Sequence, residues 1–420
     1  MVSDVLVVGA GIIGASVAAA LASRGVGVVV LEGGAPTEGS SDGNAGHLVP
    51  SHVVPFAAPG MVRAGLRSLG RRDGAFALSG RLRGDPAGAA GWLTRFARSA
   101  NEANVRRAAP VLAGLLDRSL ELVAGLAGAG AEVDFDANGL LQVFSSRESW
   151  AGGRHEAEVM RELGYPATEL SATEVFDLEP QVVGAVGGIL LERDARVDPE
   201  RLLGALRDRA RASGAQFRQA RALAVAPTLS GVAVSTTEGP VRAGHLVIAA
   251  GVWTPELVRR AGGPALRIRA AKGYSTTVVG LRRQPTRPLL LMDQRLAVNP
   301  LAQGLRISGR FELTVPADRA VQPDRVHTLV AAARPVLGLP QVVRARRPWS
   351  GLRPATPDGL PVIGPLRPGA PVLVASGHGM LGTSMGPATG ELVADLICGE
   401  EPFVDPAPLA PDRFSHGRPA

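Results

Sequence analysis

Residues 4–32 read DVLVVGAGIIGASVAAALASRGVGVVVLE, and a change of period inside this stretch decides the fold. Val5 to Val8 is a short apolar run with the composition of a buried strand. At Gly9-Ala10-Gly11-Ile12-Ile13-Gly14 the pattern turns to small residues at helical spacing, which continue through Ala22. Gly27 to Leu31 forms a second strand, ending at Glu32. The unit is a βαβ with the glycine spacing of dinucleotide-binding folds. Gly9 permits the tight turn, Gly11 lets backbone approach a pyrophosphate, and Gly14 lets the helix pack close to the strand. The amides and positive dipole end of the helix then hold phosphate. Glu32, placed 18 residues after Gly14, accepts hydrogen bonds from a ribose and repels a 2′-phosphate. The spacing by itself leaves NAD and FAD open. The nineteen uncharged residues from Val5 to Ser23 have the length of a membrane span or signal peptide. Three glycines, two serines, the missing basic leader and the change of period exclude both.

A chain of 420 residues with 45% apolar and 20% charged residues is globular and predicts two domains or one interleaved pair. The balance is basic, 45 Lys and Arg against 38 Asp and Glu, which invites a nucleic-acid reading. Lys272 is, however, the one lysine among 44 arginines, so a coding preference for Arg accounts for the excess. Aromatic residues are 4%, leaving few platforms for stacked bases, and nucleic acid is set aside as a partner. Cys398 is the single cysteine; it forms no internal disulfide and no cysteine metal site, and a reducing cytoplasm suits it. No metal site is expected.

After Glu32 comes a long irregular stretch, Gly33 to Gly60, containing GSSDGNAGHLVPSH at Gly39 to His52. Its small residues and turn formers suit backbone running beside a flat ring system. With this stretch the sequence resembles, nearly end to end, the FAD-dependent D-amino-acid oxidase superfamily, closest to its D-amino-acid dehydrogenase and D-hydroxyproline dehydrogenase group. Four more segments carry the resemblance. LVIAAGVW at Leu246 to Trp253 is similar to the strand that meets the cofactor at a glycine, here Gly251. AAKGYSTTV at Ala270 to Val278 looks like a strand leading into the substrate domain, and WSGLRPATPDGLPVIGP at Trp349 to Pro365 puts Arg353 where the family binds the substrate carboxylate. SGHGMLGTSMGPATGELVADLI at Ser376 to Ile397 looks like the flavin-contacting loop and closing helix. The resemblance implies FAD as cofactor, with contacts from Gly9, Gly11, Ile12, Ile13, Gly14, Glu32, Ser41, Asn44, Ala45, Gly46, His47, Leu48, Leu223, Gly251, Trp253, Gly377, Gly379, Met380, Leu381, Gly382 and Thr383.

The implied fold is α/β: a Rossmann-like FAD domain (1–56, 195–262 and 344–420) interleaved with an α+β substrate domain (57–194 and 263–343) on a mostly antiparallel sheet. Locally, Asp198-Pro199 predicts the N-cap and first position of a helix through Ser213, followed by a strand at Gly214 to Phe217. Val232 to Thr236 and Val241 to Ile248 continue as a meander toward Gly251, and Arg71 to Gly130 reads as mostly helical. Phe56 to Leu82, with Arg63, Arg67, Arg71, Arg72 and Arg81, has two readings: a basic amphipathic segment against an anionic membrane, or a solvated surface. The Pro-rich tail from Pro402 reads as extended or frayed.

Oxidising an α-amino acid at a flavin needs orientation and electrostatics from the protein rather than a nucleophilic triad. A guanidinium at Arg353 suits the carboxylate because two parallel N–H donors fix both angle and position. His378 either lines the flavin or takes the amine proton. Tyr274 is a further catalytic candidate, with Gln294 and Arg310 as pocket wall. His47 and His52 are flavin contacts or ordinary turn residues, and His47 raises the question of a covalent flavin link. Glu391 and Asp395 are expected to be solvated. No lysine for activating dioxygen is found, Lys272 lying in a different strand from the one where related oxidases carry theirs. The expectation is therefore a dehydrogenase that converts a D-amino acid or a cyclic secondary amino acid to the imine, passing electrons to a quinone or other carrier. It would sit in the cytoplasm, with contact to the inner membrane face left open. Left open beside it are a flavin-carrying subunit with heteromeric partners and an oxidase of glycine or sarcosine type.

Overall fold

The computed structural model describes residues 2–34, 39–68, 74–228 and 231–414. Two large sheets share the chain. In the first, the order is Ala222–Thr228, Gly231–Thr236, Gly239–Ile248, Val2–Val8, Val28–Glu32 and Gln216–Gln219. The strand Gly239–Ile248 serves two partners on one side: its first half pairs antiparallel with Gly231–Thr236, and its end pairs in parallel with Val372–Ser376. Its other side runs parallel to Val2–Val8, so Ala249 to Trp253 emerge beside the glycine turn. The expected meander is present, and Pro199–Ala212 is helical, with Asp198 accepting from the amides of Glu200 and Arg201.

The fingerprint helix Ile12–Ser23 is apolar almost all round and buried on nearly every side. It packs between Pro199–Ala212 and the closing helix Gly382–Cys398. The crossing with the closing helix is close enough that a Cβ on Gly390 would lie 2.4 Å from the carbonyl oxygen of Ser16. A 27-residue helix, Glu102–Gly128, covers the closing helix from outside and buries Leu112, Leu115 and Leu116 in the same core. This helix comes from the segment expected in the substrate domain, so the 57–194 boundary is too sharp: one apolar face of that segment belongs to the nucleotide core.

The second sheet has the order Arg344–Ala355, Arg269–Val279, Gly304–Thr314, Leu296–Leu301, Leu289–Leu291, Leu140–Phe144, Gly187–Leu191 and Ala167–Ser171. It is mostly antiparallel. Arg344–Ala355 pairs with Arg269–Val279 throughout, which moves the last crossing between sheets from residue 344 to beyond Ala355. Within the stretch expected to be mostly helical, Phe76–Leu78 is instead a short strand added in parallel to Gly304–Thr314. Arg71 and Arg72 lie outside the described residues. Met61–Ser68 is a helix carrying exposed Arg63, Leu66 and Arg67. Among the described residues, no helix is long and apolar enough to cross a membrane.

The tail is not frayed up to Phe414. Leu409 is buried, and Arg413 forms an ion pair at 2.9 Å with Asp358, both side chains almost fully enclosed. The reason is an acid left in the core by the GLRPATPDG turn, which needs a cation. Residues 415–420 lie outside the described ones. Replacing Arg413 with Ala leaves Asp358 with Arg107 at 3.6 Å; the expected loss is about 3 kcal/mol of unfolding free energy, read from the urea midpoint. A change within experimental error would show the tail to be dispensable.

Candidate active site

The glycine turn is built as the spacing requires. Gly9 has φ +107°, and a Cβ there would meet the Ala249 carbonyl oxygen at 2.5 Å. At Gly14 the clash would be with the Gly9 carbonyl oxygen at 1.8 Å, so helix and strand touch through bare backbone. Ala10, at the apex, is held on both sides. Its amide donates to Glu32 Oε2 at 2.8 Å, and its carbonyl accepts from Arg207 Nη2 at 2.6 Å. Glu32 Oε1 accepts from the Gly34 amide at 2.9 Å. Arg207 belongs to the helix Pro199–Ala212, and burial holds its guanidinium below its usual range. Nothing in the sequence singled out Arg207, because its neighbours have no motif and its role follows from where its helix docks.

The Gly39 to His52 loop reaches the same helix terminus. Ser41 Oγ accepts from the Ile12 amide at 2.9 Å, while Asn44 folds the loop by donating to the Ser41 carbonyl and accepting from the Gly46 amide. Three side chains from the second sheet anchor it from the other side. Ser275 donates to the Gly43 carbonyl at 2.7 Å, Asn299 to that of Ala45 at 2.7 Å, and Arg306 to those of Asp42 and Asn44.

A cavity of about 590 Å³ runs between the two sheets from this cradle to Arg353. Of the residues expected at the cofactor, Gly9, Gly11, Ile12, Ile13, Glu32, Ser41, Asn44, Gly251, Trp253, Gly379, Met380, Gly382 and Thr383 line it. Gly14, Ala45, Gly46, His47, Leu48, Leu223, Gly377 and Leu381 do not. Gly14, Ala45 and Gly46 lie in the backbone supports just described. Leu48 is in the core, and Leu223 is replaced on the wall by its neighbours Ala222 and Arg221. His47 points away: its Nε2–H donates to the Val298 carbonyl at 3.0 Å, which gives a covalent flavin link through it no support. Pro316, Ala317, Arg319, Leu352 and Pro354 also line the cavity and were not foreseen. Leu352 and Pro354 could have been read from the Arg353 motif; the 316–319 turn has no signal of its own.

Arg353 stands on the edge strand Arg344–Ala355, paired opposite Ala271. Its guanidinium lies over Gly273, where a Cβ would sit 2.3 Å from its Cζ, and Nη1 donates to the Arg310 carbonyl at 2.6 Å. Burial pushes its pKa down to about 10, so it stays charged at neutral pH. It has no carboxylate partner among the described residues. A fixed, partly desolvated cation facing a cavity without its own counter-charge is an anion seat.

Tyr274 is not part of this site. Strand alternation puts it on the sheet face opposite Gly273 and Arg353, where it is fully buried and its hydroxyl donates to Glu312 Oε2 at 2.9 Å. Gln294 donates to Ser145, and Arg310 reaches Gly74 and Thr328; neither side chain lines the cavity. On the closing helix, Asp395 is an enclosed partner of Arg24 at 2.6 Å and Glu391 pairs with Arg118, so neither is simply solvated.

Residues 4–396 match the family described as FAD dependent oxidoreductase, DAO. The D-amino acid dehydrogenase of Dechloromonas aromatica is 32% identical over 415 residues, covering 95% of this chain and 97% of that protein. The D-amino-acid oxidase of Bradyrhizobium diazoefficiens is 31% identical over 428 residues, covering 98% of each. The solved glycine oxidase from Geobacillus kaustophilus superposes with a TM-score of 0.78 at 24% identity, covering 98% of this chain and 99% of that one, a likeness of fold.

His378 lines the cavity but is 4% exposed, and burial lowers its pKa from 6.5 to about 3. The Thr389 hydroxyl donates to the Met385 carbonyl, so it accepts from His378 Nε2–H at 2.9 Å, leaving Nδ1 as the unprotonated nitrogen. Burial disfavours the protonated ring, so the surroundings suit a cavity wall better than a base for an ammonium group. Burial likewise lowers His47 and His52 to about 4. The unfolded rings bind a proton near pH 6.5 and the folded ones only near 3 to 4. Each therefore contributes stability that is complete above 6.5 and is lost as the pH falls through 6.5 toward the folded value. The expected result from histidine-labelled NMR is that these three rings do not titrate between pH 5.5 and 8. A midpoint near 6.5 for His378 would restore it as a candidate base.

Proposed function

Since the chain belongs to the family of FAD-dependent oxidoreductases, we propose that it dehydrogenates a D-amino acid, or a cyclic secondary amino acid such as D-hydroxyproline, using the cavity that ends at Arg353. The residues present fit FAD. The bare-backbone turn at Gly9 and Gly14 admits a pyrophosphate beside the N-terminus of Ile12–Ser23, and Glu32 stands at the strand end for a ribose. The N-terminus of the closing helix, at Gly382 and Thr383, lines the same cavity further on. Bound there, FAD supplies the two-electron oxidant for the bond between the α-carbon and its hydrogen. The observation that carries the reading is the unneutralised guanidinium of Arg353 at the far end of this cradle.

Arg353 binds the substrate carboxylate, and its bond to the Arg310 carbonyl fixes the plane of the guanidinium so that the remaining donors set the substrate's angle. His378 stays neutral and does not take the amine proton; the substrate ammonium gives that proton to bulk water before it binds, and the amine enters the cavity neutral. The walls from Leu352, Pro354, Gly379 and Met380 reduce access of water beside the α-carbon. An imine from a primary amine hydrolyses after release to a 2-oxo acid and ammonia.

Electrons leave to a quinone or other carrier rather than to dioxygen. Supporting this, Lys272 is committed to a buried ion pair with Asp318 at 2.9 Å and is not at hand for oxygen chemistry. Contact with the inner membrane face of the cytoplasm, where such a carrier resides, would use Met61–Ser68: Leu66 is 66% exposed, between the exposed cations Arg63 and Arg67.

Anaerobic mixing of the FAD-loaded protein with D- and L-amino acids, glycine, sarcosine and hydroxyproline isomers is expected to bleach the flavin with D- or cyclic secondary substrates. Bleaching by none of the amines would overturn the proposal. Arg353→Ala is expected to retain FAD but lose about 2–5 kcal/mol of substrate recognition, roughly thirtyfold or more in kcat/KM. Unchanged kinetics would remove Arg353 from the site. Rapid peroxide formation that outcompetes artificial acceptors would identify an oxidase instead.

A further inference from the structure

In a chain whose other 44 cationic residues are arginine, position 272 alone carries lysine. Its side chain is fully buried, and it has two acceptors, Asp318 Oδ1 at 2.9 Å and the Ala320 carbonyl at 2.6 Å, with the Tyr274 ring 5.6 Å away. The second carboxylate oxygen of Asp318 is taken by Thr314 Oγ1 at 2.8 Å and by Ser79. A guanidinium in this space would bring five donors to two acceptors and leave buried N–H groups unpaired. A compact ammonium fits.

The two bonds bracket Arg319. They tie down the turn Val315 to Val321, whose Pro316, Ala317 and Arg319 line the same cavity as Arg353. Lys272 is also the immediate neighbour of Gly273, over which the Arg353 guanidinium lies. One stretch of strand therefore carries, on its two faces, the glycine beneath the Arg353 guanidinium and the lysine that holds another wall of the same cavity. We propose that Lys272 is a positioning residue, holding the 315–321 turn at a set distance from Arg353 and so determining which substrate side chains the cavity accepts. This rests on the reading of Arg353 as the carboxylate site.

The test compares kcat/KM, per bound flavin, for D-alanine and D-phenylalanine in the FAD-loaded full chain, wild type against Lys272→Met. A merely structural lysine would lower the active fraction and leave the ratio between the two substrates alone. The expected result is a ratio changed by about tenfold or more, with FAD retained. Both substrates falling by one common factor would overturn the proposal. Should Lys272→Met fail to fold, Thr314→Val decides: it removes one bond to Asp318 without burying a lone charge. It is expected to shift the ratio in the same direction by a smaller factor, and an unchanged ratio overturns the proposal. If the wild type oxidises neither compound nor any other amine, the carboxylate reading fails separately. The clamp is then judged by amide hydrogen exchange across Val315 to Val321, which Lys272→Met or Thr314→Val accelerates if the turn is held as described and leaves unchanged if it is not.

Discussion

The close crossing of the first and last helices is the constraint on which the cavity depends. Ser16 presents its backbone carbonyl where Gly390 has no side chain, and Gly386 leaves space for Ile12 in the same way. Bulk at these positions would push Gly382–Cys398 away from Ile12–Ser23, and with it the 376–383 loop that closes the cavity. Because both helices start at that cavity, their packing brings two positive dipole ends to one site. Residues more than 360 positions apart in sequence meet through backbone contact, and the intervening chain has to be accommodated elsewhere.

It is accommodated in the second sheet, which is more than a lid. Ser275, Asn299 and Arg306 hold the carbonyls of the 42–45 loop, so the cradle at the nucleotide end is partly made by the sheet that carries Arg353. The same strand seats the guanidinium over Gly273. The glycine-turn loop and the Arg353 strand are therefore linked by one hydrogen-bonded framework, and on the proposed reading this holds cofactor and substrate in a fixed relation.

Much of this was legible in the sequence, and the failures have physical causes. The βαβ fingerprint was readable because its glycines are demanded locally by turn and contact geometry. Arg353 could be singled out because its motif is contiguous, and it does line the cavity; its role is a proposal. Tyr274 was misplaced because a two-residue period sends neighbours to opposite faces, and the sequence does not say which face meets the cavity. His378 was found at the cavity, but its proton chemistry depends on burial and on Thr389, eleven residues further along the helix. Arg207, Arg319 and the Lys272 clamp are set by tertiary docking and have no local signature. The domain boundaries erred at Arg344–Ala355 and Glu102–Gly128, where a strand and a helix pack across the division that the resemblance implied.

The proposed carboxylate site is the Arg353 guanidinium, seated over Gly273 at the end of the FAD cradle. Titrating the FAD-loaded protein with a non-reactive carboxylate such as benzoate, while following the flavin spectrum, tests it most directly when Gly273→Ala is run beside the wild type. Saturable perturbation is expected in the wild type, with binding weakened by about tenfold or more in Gly273→Ala and FAD content unchanged. Equal affinity in both proteins, or no perturbation in the wild type, would contradict it.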